Sequence, residues 1–117
     1  MMFGYTNLIP SNCDFYEVAS LDDLPPGERL VLQLDDLEIL VFNIAGELFA
    51  IGNVCSHDGN PLDDGELRDK EIVCLRHGAR FDVRTGEVMS LPAVIDIPAY
   101  PVRVVDGKIE IGVPKEA

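Results

Sequence analysis

The chain has 117 residues, and its 21 acidic and 9 basic side chains give a formal net charge of -12. A chain of this length predicts one domain spanning residues 1–117, and its 47% hydrophobic content predicts that the domain folds. The acidity argues against nucleic acid as a partner, because affinity for phosphates comes from lysine and arginine. An anionic membrane surface is disfavoured for the same reason.

No segment has the pattern of a membrane span or an export signal. The longest interior apolar run, 39–42, is far shorter than the roughly 20 residues that cross a bilayer. The segment 1–12 has neither a positive charge nor a sustained apolar stretch, unlike a secretory signal. We therefore expect a cytoplasmic protein, whose three cysteines are reduced or bound to metal.

Hydrophobic alternation with a period of two, broken by turns every eight to twelve residues, predicts an all-β fold. The Asp106-Gly107 pair predicts a type I′ hairpin turn, which needs positive φ at both central residues. A short helical turn is expected at 20–24, capped by Ser20 and ended by two prolines. Strands are expected at 29–34, 38–44, 47–51, 81–83, 87–89 and 108–111, and Tyr100, Val102 and Val104 should share one face.

Two stretches, 53–65 and 74–80, lack this alternation and are expected to be loops on the β scaffold. Loops held by a rigid scaffold are where binding and chemistry usually occur. Cys13 lies far from both loops, before the first expected strand, and is most simply a thiol without a role.

Both histidines of the chain lie in these loops, each shortly after a cysteine. The first loop reads Cys55-Ser56-His57 and the second Cys74-Leu75-Arg76-His77. One such pair alone would more often be buried core residues, but two pairs that use every histidine favour a metal site. Thiolate and imidazole ligands together are typical of zinc or iron–sulfur centres.

The spacing within each loop bears on the choice of metal. Structural zinc sites usually group like ligands, as Cys-x₂₋₄-Cys and His-x₃₋₅-His, whereas each loop here mixes the two types. Mixed loops suit a binuclear cluster in which two cysteines bind one iron and two histidines bind the other. A zinc-binding interaction module remains the alternative from another class.

The two loops resemble the cluster-binding loops of Rieske-type ferredoxins, most closely the soluble ferredoxin components of bacterial aromatic-ring-hydroxylating dioxygenase systems. Specific matches extend over residues 53–112. They comprise Cys55 to Gly59, Pro61-Leu62, Asp64-Gly65, Cys74 to Asp82, Thr85 to Val88, Leu91-Pro92-Ala93 and Tyr100 to Val104.

The resemblance implies stacked antiparallel sheets, a β-sandwich, with a small cluster-binding lobe at about 53–93 inserted in the β base. It implies one [2Fe–2S] cluster per chain, with Cys55 and Cys74 on the inner iron and His57 and His77 on the outer one. Pro92 would shield the cluster from water, and backbone N–H groups of both loops would supply most hydrogen bonds to the sulfurs.

The resemblance further implies an electron carrier rather than an enzyme. A flavin-dependent reductase would donate one electron, and a terminal oxygenase or similar enzyme would accept it. An oxygenase would need a further iron bound by two histidines and a carboxylate, and both histidines are already assigned. The small Rieske-like subunit of an NAD(P)H-dependent nitrite reductase, which shares the fold, is the other alternative.

Rieske proteins of respiratory and photosynthetic complexes differ from this chain at identifiable positions. Asn60 and Arg76 stand where those proteins have disulfide-forming cysteines, and Ala79 and Phe81 replace their serine and tyrosine donors to the cluster sulfurs. Fewer donors predict a reduction potential near the low end of the Rieske range. Arg76 and Arg80 are either solvated surface charges or residues that tune the site or a docking face.

Overall fold

The computed structural model describes residues 13–56, 59–76, 78–91, 93 and 95–114. In this part of the chain the secondary structure is almost entirely strand, which confirms the all-β prediction. No helix in the described ranges has the length and apolar character to cross a membrane. The strands are β1 (Cys13–Ser20), β2 (Arg29–Leu34), β3 (Leu37–Ile44), β4 (Glu47–Gly52), β5 (Glu66–Arg68), β6 (Glu71–Val73), β7 (Arg80–Asp82), β8 (Val88–Ser90), β9 (Ala99–Tyr100), β10 (Val102–Val105) and β11 (Lys108–Pro114).

These strands pair antiparallel in three sheets within the described residues. The outer sheet has the order β1-β11-β10, the central sheet β2-β3-β4-β9 and the lobe sheet β5-β6-β7-β8. The lobe sheet lies in sequence between β4 and β9, which are paired neighbours in the central sheet. The chain therefore leaves the central sheet after β4, builds the lobe sheet, and returns to pair with the same strand.

Strand β3 has a continuous apolar run because both of its faces are buried. Its side chains alternate between two separate cores. Ile39 and Val41 enter the base core, while Leu40 and Phe42 enter the lobe core. The base core comprises Leu24, Ile39, Val41, Ala50, Tyr100, Ile109 and Ile111. The lobe core comprises Leu40, Phe42, Ile51, Cys55, Leu62, Ile72, Cys74, Ala79, Phe81, Val83, Ala93, Ile97 and Ala99.

Turn chemistry fixes the hairpins between these strands. Asp106 and Gly107 have φ of 51° and 75°, so both central residues have the positive φ that was predicted for a type I′ turn. Ala45 and Gly46 form the corresponding turn between β3 and β4, with φ of 54° and 95°. The predicted strands on either side of these turns are all present, with bounds that differ by at most a few residues.

The short helical turn is also confirmed, as a 3₁₀ helix at Leu21–Asp23. Ser20 caps it: its Oγ accepts a hydrogen bond from the Asp22 N–H at 3.3 Å, and its own N–H donates to Asp23 at 3.2 Å. This reciprocal arrangement is a capping box, which satisfies N–H groups that the helix itself cannot.

Two predictions about strands were wrong. Cys13 does not precede the first strand; it is the first residue of β1 and pairs with Pro114. Tyr100 and Val102 both pack in the base core, but Val104 does not share their face, and the chain changes sheet at Pro101. Tyr100 pairs with Ala50 in the central sheet, whereas Val102–Val105 pairs with β11 in the outer sheet and leaves Val104 exposed.

The turn between β7 and β8 is packed tightly against the return segment. Gly86 has a φ of 79°, and its N–H and carbonyl bond Asp82 and Ile97, respectively. A Cβ at Gly86 would overlap the Ile97 carbonyl oxygen, whereas a Cβ at Gly107 would meet nothing within 4 Å. The two glycines therefore share a backbone conformation but differ in the space around them.

We expect Gly86→Ala to lower the free energy of unfolding by about 1–3 kcal/mol more than Gly107→Ala does, because overpacking adds to the strain of positive φ. Urea denaturation followed by circular dichroism measures both variants against the unsubstituted protein. Equal losses in the two variants would contradict the packing described for this turn.

Candidate metal centre

Cys55 and Cys74 are delivered to one buried place by two different connections. Cys55 lies in the segment that leaves β4 for the lobe, and Cys74 follows directly after β6. Their residues are 0% and 1% exposed, and both belong to the lobe core. The structure thus places in one core the two cysteines that the sequence predicted as ligands.

The two cysteine loops close with the same backbone pattern. In the first, the Cys55 N–H donates to the Asn60 carbonyl at 2.7 Å and the Gly59 N–H donates to the Cys55 carbonyl at 2.7 Å. In the second, Cys74 donates to Ala79 and accepts from Gly78, both at 2.8 Å. Each cysteine therefore bonds the residues four and five positions later.

Glycine ends both loops for a conformational reason. Gly59 and Gly78 have φ of 76° and 77°, a region that other residues adopt at a cost. Nothing lies within 4 Å of a Cβ at either position, so the backbone conformation rather than crowding requires glycine. The sequence spacing Cys-x-x-x-Gly in both loops reflects this shared turn.

The surroundings of the two sulfurs fit a metal cluster. Leu62, Ala79 and Phe81 are fully buried in the same core as the cysteines, and none of their side chains is polar. A thiolate in such surroundings is costly unless a positive charge compensates for it, and a bound metal provides that charge. Two buried thiols from two loops are therefore a suitable half of an iron–sulfur ligand set.

The remaining predicted site residues, His57, His77 and Pro92, lie outside the described part of the chain. Among the residues that are described, no group of three or more cysteine, histidine, aspartate or glutamate side chains forms a metal site. The role of the histidines as ligands, and that of Pro92 as a shield, therefore stay predictions.

Two serines that the sequence did not mark connect the cysteine loops to the segment after β8. The Ser56 hydroxyl donates to the Ile95 carbonyl. The Ser90 hydroxyl donates to the Gly78 carbonyl at 3.4 Å and accepts a hydrogen bond from the Arg80 N–H at 3.2 Å. Ile95 is thereby attached to the first loop and Ser90 to the second.

A buried asparagine ties the first loop to the central sheet. Asn53 donates from Nδ2 to Glu38 at 3.1 Å and to Asp63 at 3.0 Å, and its Oδ1 accepts from the Leu62 N–H at 2.8 Å. Arg29 adds two bonds from β2, to the carbonyls of Asp63 at 3.1 Å and Gly65 at 2.7 Å. These side-chain bonds fix where the first loop begins and ends.

Asp82 organises the turn after β7 in a similar way. Its carboxylate accepts hydrogen bonds from the Arg84 backbone N–H, Nε and Nη2 at 2.8, 3.0 and 2.8 Å. These bonds to the Arg84 side chain hold the pKa of Asp82 below its ordinary value, although burial acts in the opposite direction. The carboxylate therefore stays ionised at neutral pH and keeps the turn closed.

Comparison with known proteins agrees with this geometry. The family model of the Rieske [2Fe–2S] domain matches residues 14–101, which contain both cysteine loops. The chain belongs to this family. The Rieske domain carries one [2Fe–2S] cluster per chain, which confirms the cofactor prediction.

Relatives of the chain include electron-transfer components of dioxygenase systems. It is 36% identical over 91 residues to the "naphthalene 1,2-dioxygenase/salicylate 5-hydroxylase systems, ferredoxin component" of Ralstonia sp., covering 78% of this chain and 88% of the relative. The ferredoxin of carbazole 1,9a-dioxygenase from Nocardioides aromaticivorans IC177 is 39% identical, with a TM-score of 0.77, and the match covers 86% and 98% of the two chains.

A nitrite reductase small subunit shares the fold. The protein described as a putative NADH-dependent nitrite reductase small subunit from Mycobacterium tuberculosis has a TM-score of 0.78 at 24% identity, with 89% and 98% of the two chains covered. At this identity the likeness concerns the fold alone. The prediction of a Rieske-type ferredoxin resemblance is confirmed by the family match and the two ferredoxin relatives.

The structure supports the premise for a low reduction potential, because Ala79 and Phe81 are both fully buried and neither side chain can donate a hydrogen bond. We expect redox titration to give a value near the low end of roughly -150 to +300 mV. Ala79→Ser should raise it by adding a hydroxyl donor, and Ala50→Ser, in the base core, should leave it unchanged. A value near the top of the range for the unsubstituted protein would contradict this account.

Proposed function

We propose that this Rieske protein carries one electron at a time from a flavin-dependent reductase to a terminal oxygenase. The observation that carries the proposal is the pair of buried cysteines presented by two matching loops of a Rieske domain. The ferredoxin relatives at 36% and 39% identity, both named as parts of dioxygenase systems, support the same partners.

Cys55 and Cys74 hold the inner iron in this proposal, and His57 and His77 hold the outer one. When bound, the [2Fe–2S] cluster supplies reversible one-electron chemistry. The chain holds the two thiolates in an apolar core, excludes water from them with the lobe-core side chains, and fixes each loop through its glycine turn. Pro92 contributes to the same exclusion of water.

We assign electron transfer as the only activity of the chain. In this proposal the protein is not itself an enzyme. Both histidines are used by the cluster, so none is left for the second, mononuclear iron at which an oxygenase activates its substrate. The residues form one domain with a cluster-binding lobe at about 53–93. We place the protein in the cytoplasm, where reducing conditions keep ligand thiols available.

Exposed apolar side chains beside the cysteine loops support contact with a protein partner. The three most exposed large hydrophobic residues in the described part of the chain are Leu91, Leu75 and Ile95, at 75%, 60% and 57%. Leu75 follows Cys74, the Ile95 carbonyl accepts from Ser56, and Leu91 follows Ser90, which bonds the second loop. Strongly exposed apolar side chains on segments that contact the cysteine loops are typical of a contact site.

The ligand assignment predicts which residues the cluster needs. Replacing Cys55, Cys74, His57 or His77 with alanine should abolish the two irons and two acid-labile sulfides per chain, because each residue supplies one of four ligands. His57→Cys should instead alter the absorption and paramagnetic resonance spectra. The measurement is the content of iron, zinc and acid-labile sulfide per chain in the purified protein.

Cys13→Ser is the matched control, since Cys13 is also buried, at 6% exposure, but lies in β1 and belongs to neither cysteine loop. It should retain the full cluster. Protein with one zinc and no sulfide would overturn the ligand assignment in favour of a zinc module. A full cluster in Cys55→Ala would equally overturn it.

The contact site predicts a kinetic effect without a redox effect. Leu91→Ser should slow electron transfer to the oxygenase several-fold, because apolar area is lost from the contact, while the reduction potential stays the same. Val31→Ser, on β2 and 40% exposed, should have no effect on the rate. Stopped-flow mixing of reduced protein with the oxygenase gives the rate.

The same experiment tests the role of the net charge of -12. The rate of electron transfer from the unsubstituted protein should fall as the salt concentration rises, because charge steers the two proteins together and salt screens that charge.

Equal rates of electron transfer for Leu91→Ser and Val31→Ser would contradict the proposed contact site.

A further inference from the structure

Arg76 reaches from the second cysteine loop to the segment that follows the first. Its guanidinium donates from Nη1 to the Pro61 carbonyl at 3.3 Å and from Nη2 to the Asp64 carboxylate at 3.4 Å. Pro61 follows Asn60, the residue whose carbonyl closes the first loop. One side chain therefore connects the loop of Cys74 with the end of the loop of Cys55.

The two bonds of Arg76 run from one loop to the other, whereas the backbone bonds of Cys55 to Asn60 and Gly59 lie within one loop. The hydrogen bonds of Cys55 and Cys74 to later residues close each loop on itself. The paired strands β5 and β6 end at the pair Glu66 and Val73, which comes before Arg76 along the chain. Arg76 spans the two loops beyond the point where those paired strands end.

We propose that Arg76 is a positioning residue that holds the two cysteine loops at a fixed separation, and so retains the cluster that the proposed function requires. Arginine suits this task because its planar fork can bond a carbonyl and a carboxylate at once. The Arg76 and Asp64 side chains are 36% and 53% exposed, so water competes with the bonds and a moderate effect is expected.

The other ion pairs between described residues of the lobe lie within one sheet or one turn. Arg68 contacts Glu66 at 2.9 Å within β5, and Arg80 contacts Glu71 at 3.4 Å between strands of the same sheet. The Arg68 pair is more exposed than the Arg76 pair, at 64% and 57% against 36% and 53%, and it connects residues only two apart. Arg68→Ala is therefore a matched control for loss of an arginine from the lobe.

A general charge effect and a loop-holding effect predict different results. Removing a positive charge near the cluster lowers its reduction potential, and removing a negative charge raises it. If charge alone mattered, Arg76→Ala and Asp64→Ala would shift the reduction potential in opposite directions. If the bond between the loops matters, both variants loosen the loops in the same way.

The experiment measures loss of the cluster from purified protein challenged with an iron chelator, followed by visible absorbance. Arg76→Ala and Asp64→Ala should each lose the cluster about two- to five-fold faster. The double variant should be no faster than Arg76→Ala, because Arg76→Ala already removes the bond to Asp64 together with the bond to the Pro61 carbonyl. Arg68→Ala should match the unsubstituted protein.

Arg76→Lys distinguishes the effect of the positive charge from the effect of the planar guanidinium group. It keeps the positive charge, so its potential should stay at the unsubstituted value, while its cluster loss should fall between the unsubstituted protein and Arg76→Ala. Opposite effects of Arg76→Ala and Asp64→Ala on the loss rate, or no effect of either, would overturn the proposal.

Hydrogen–deuterium exchange provides a readout that does not need electron transfer. Backbone amides of 59–65 and 74–79 should exchange faster in Arg76→Ala than in Arg68→Ala. Unchanged exchange in both segments would overturn the positioning role. Absence of a cluster from the unsubstituted protein would instead overturn the proposed function, and the exchange comparison would still decide the role of Arg76.

Discussion

Strand β3 is buried on both faces, and the arrangement of the other elements depends on that constraint. Ile39 and Val41 require the outer sheet to cover one face of the central sheet, and Leu40 and Phe42 require the lobe to cover the other. Burying a large aliphatic or aromatic side chain is worth about 1.5–3 kcal/mol. The lobe is thus packed on its own hydrophobic face of the central sheet, and the cysteines share that core.

This placement explains how a small β protein can keep a redox centre partly sheltered. Cys55 and Cys74 belong to the lobe core, yet Leu75, beside Cys74, and Leu91 and Ile95, in the segment bonded to the loops, are strongly exposed. The charge of -12 belongs to the chain as a whole. Long-range charge can guide an encounter while a nearby apolar contact completes it.

Much of this architecture could be predicted from the sequence because it depends on local chemistry. Asp106-Gly107 specifies a hairpin turn, Ser20 specifies a helix cap, and the repeated Cys-x-x-x-Gly spacing marks the cysteine loops. Strands β5 and β6, of three residues each, show no period and depend on pairing with each other, whereas the equally short β7 and β8 flank a recognisable Thr85-Gly86 turn. The change of sheet at Pro101 and the bonds of Arg76 and Ser56 join residues distant in sequence, which no local pattern reveals.

We propose that one imidazole and one thiolate from each loop bind a single [2Fe–2S] cluster. Electron–nuclear double resonance of the reduced protein, with histidine labelled with ¹⁵N, tests it most directly. The account predicts a [2Fe–2S] signal coupled to the ring nitrogens of both His57 and His77, with one coupling lost in each histidine variant that retains iron. A [2Fe–2S] signal without histidine nitrogen coupling would contradict it.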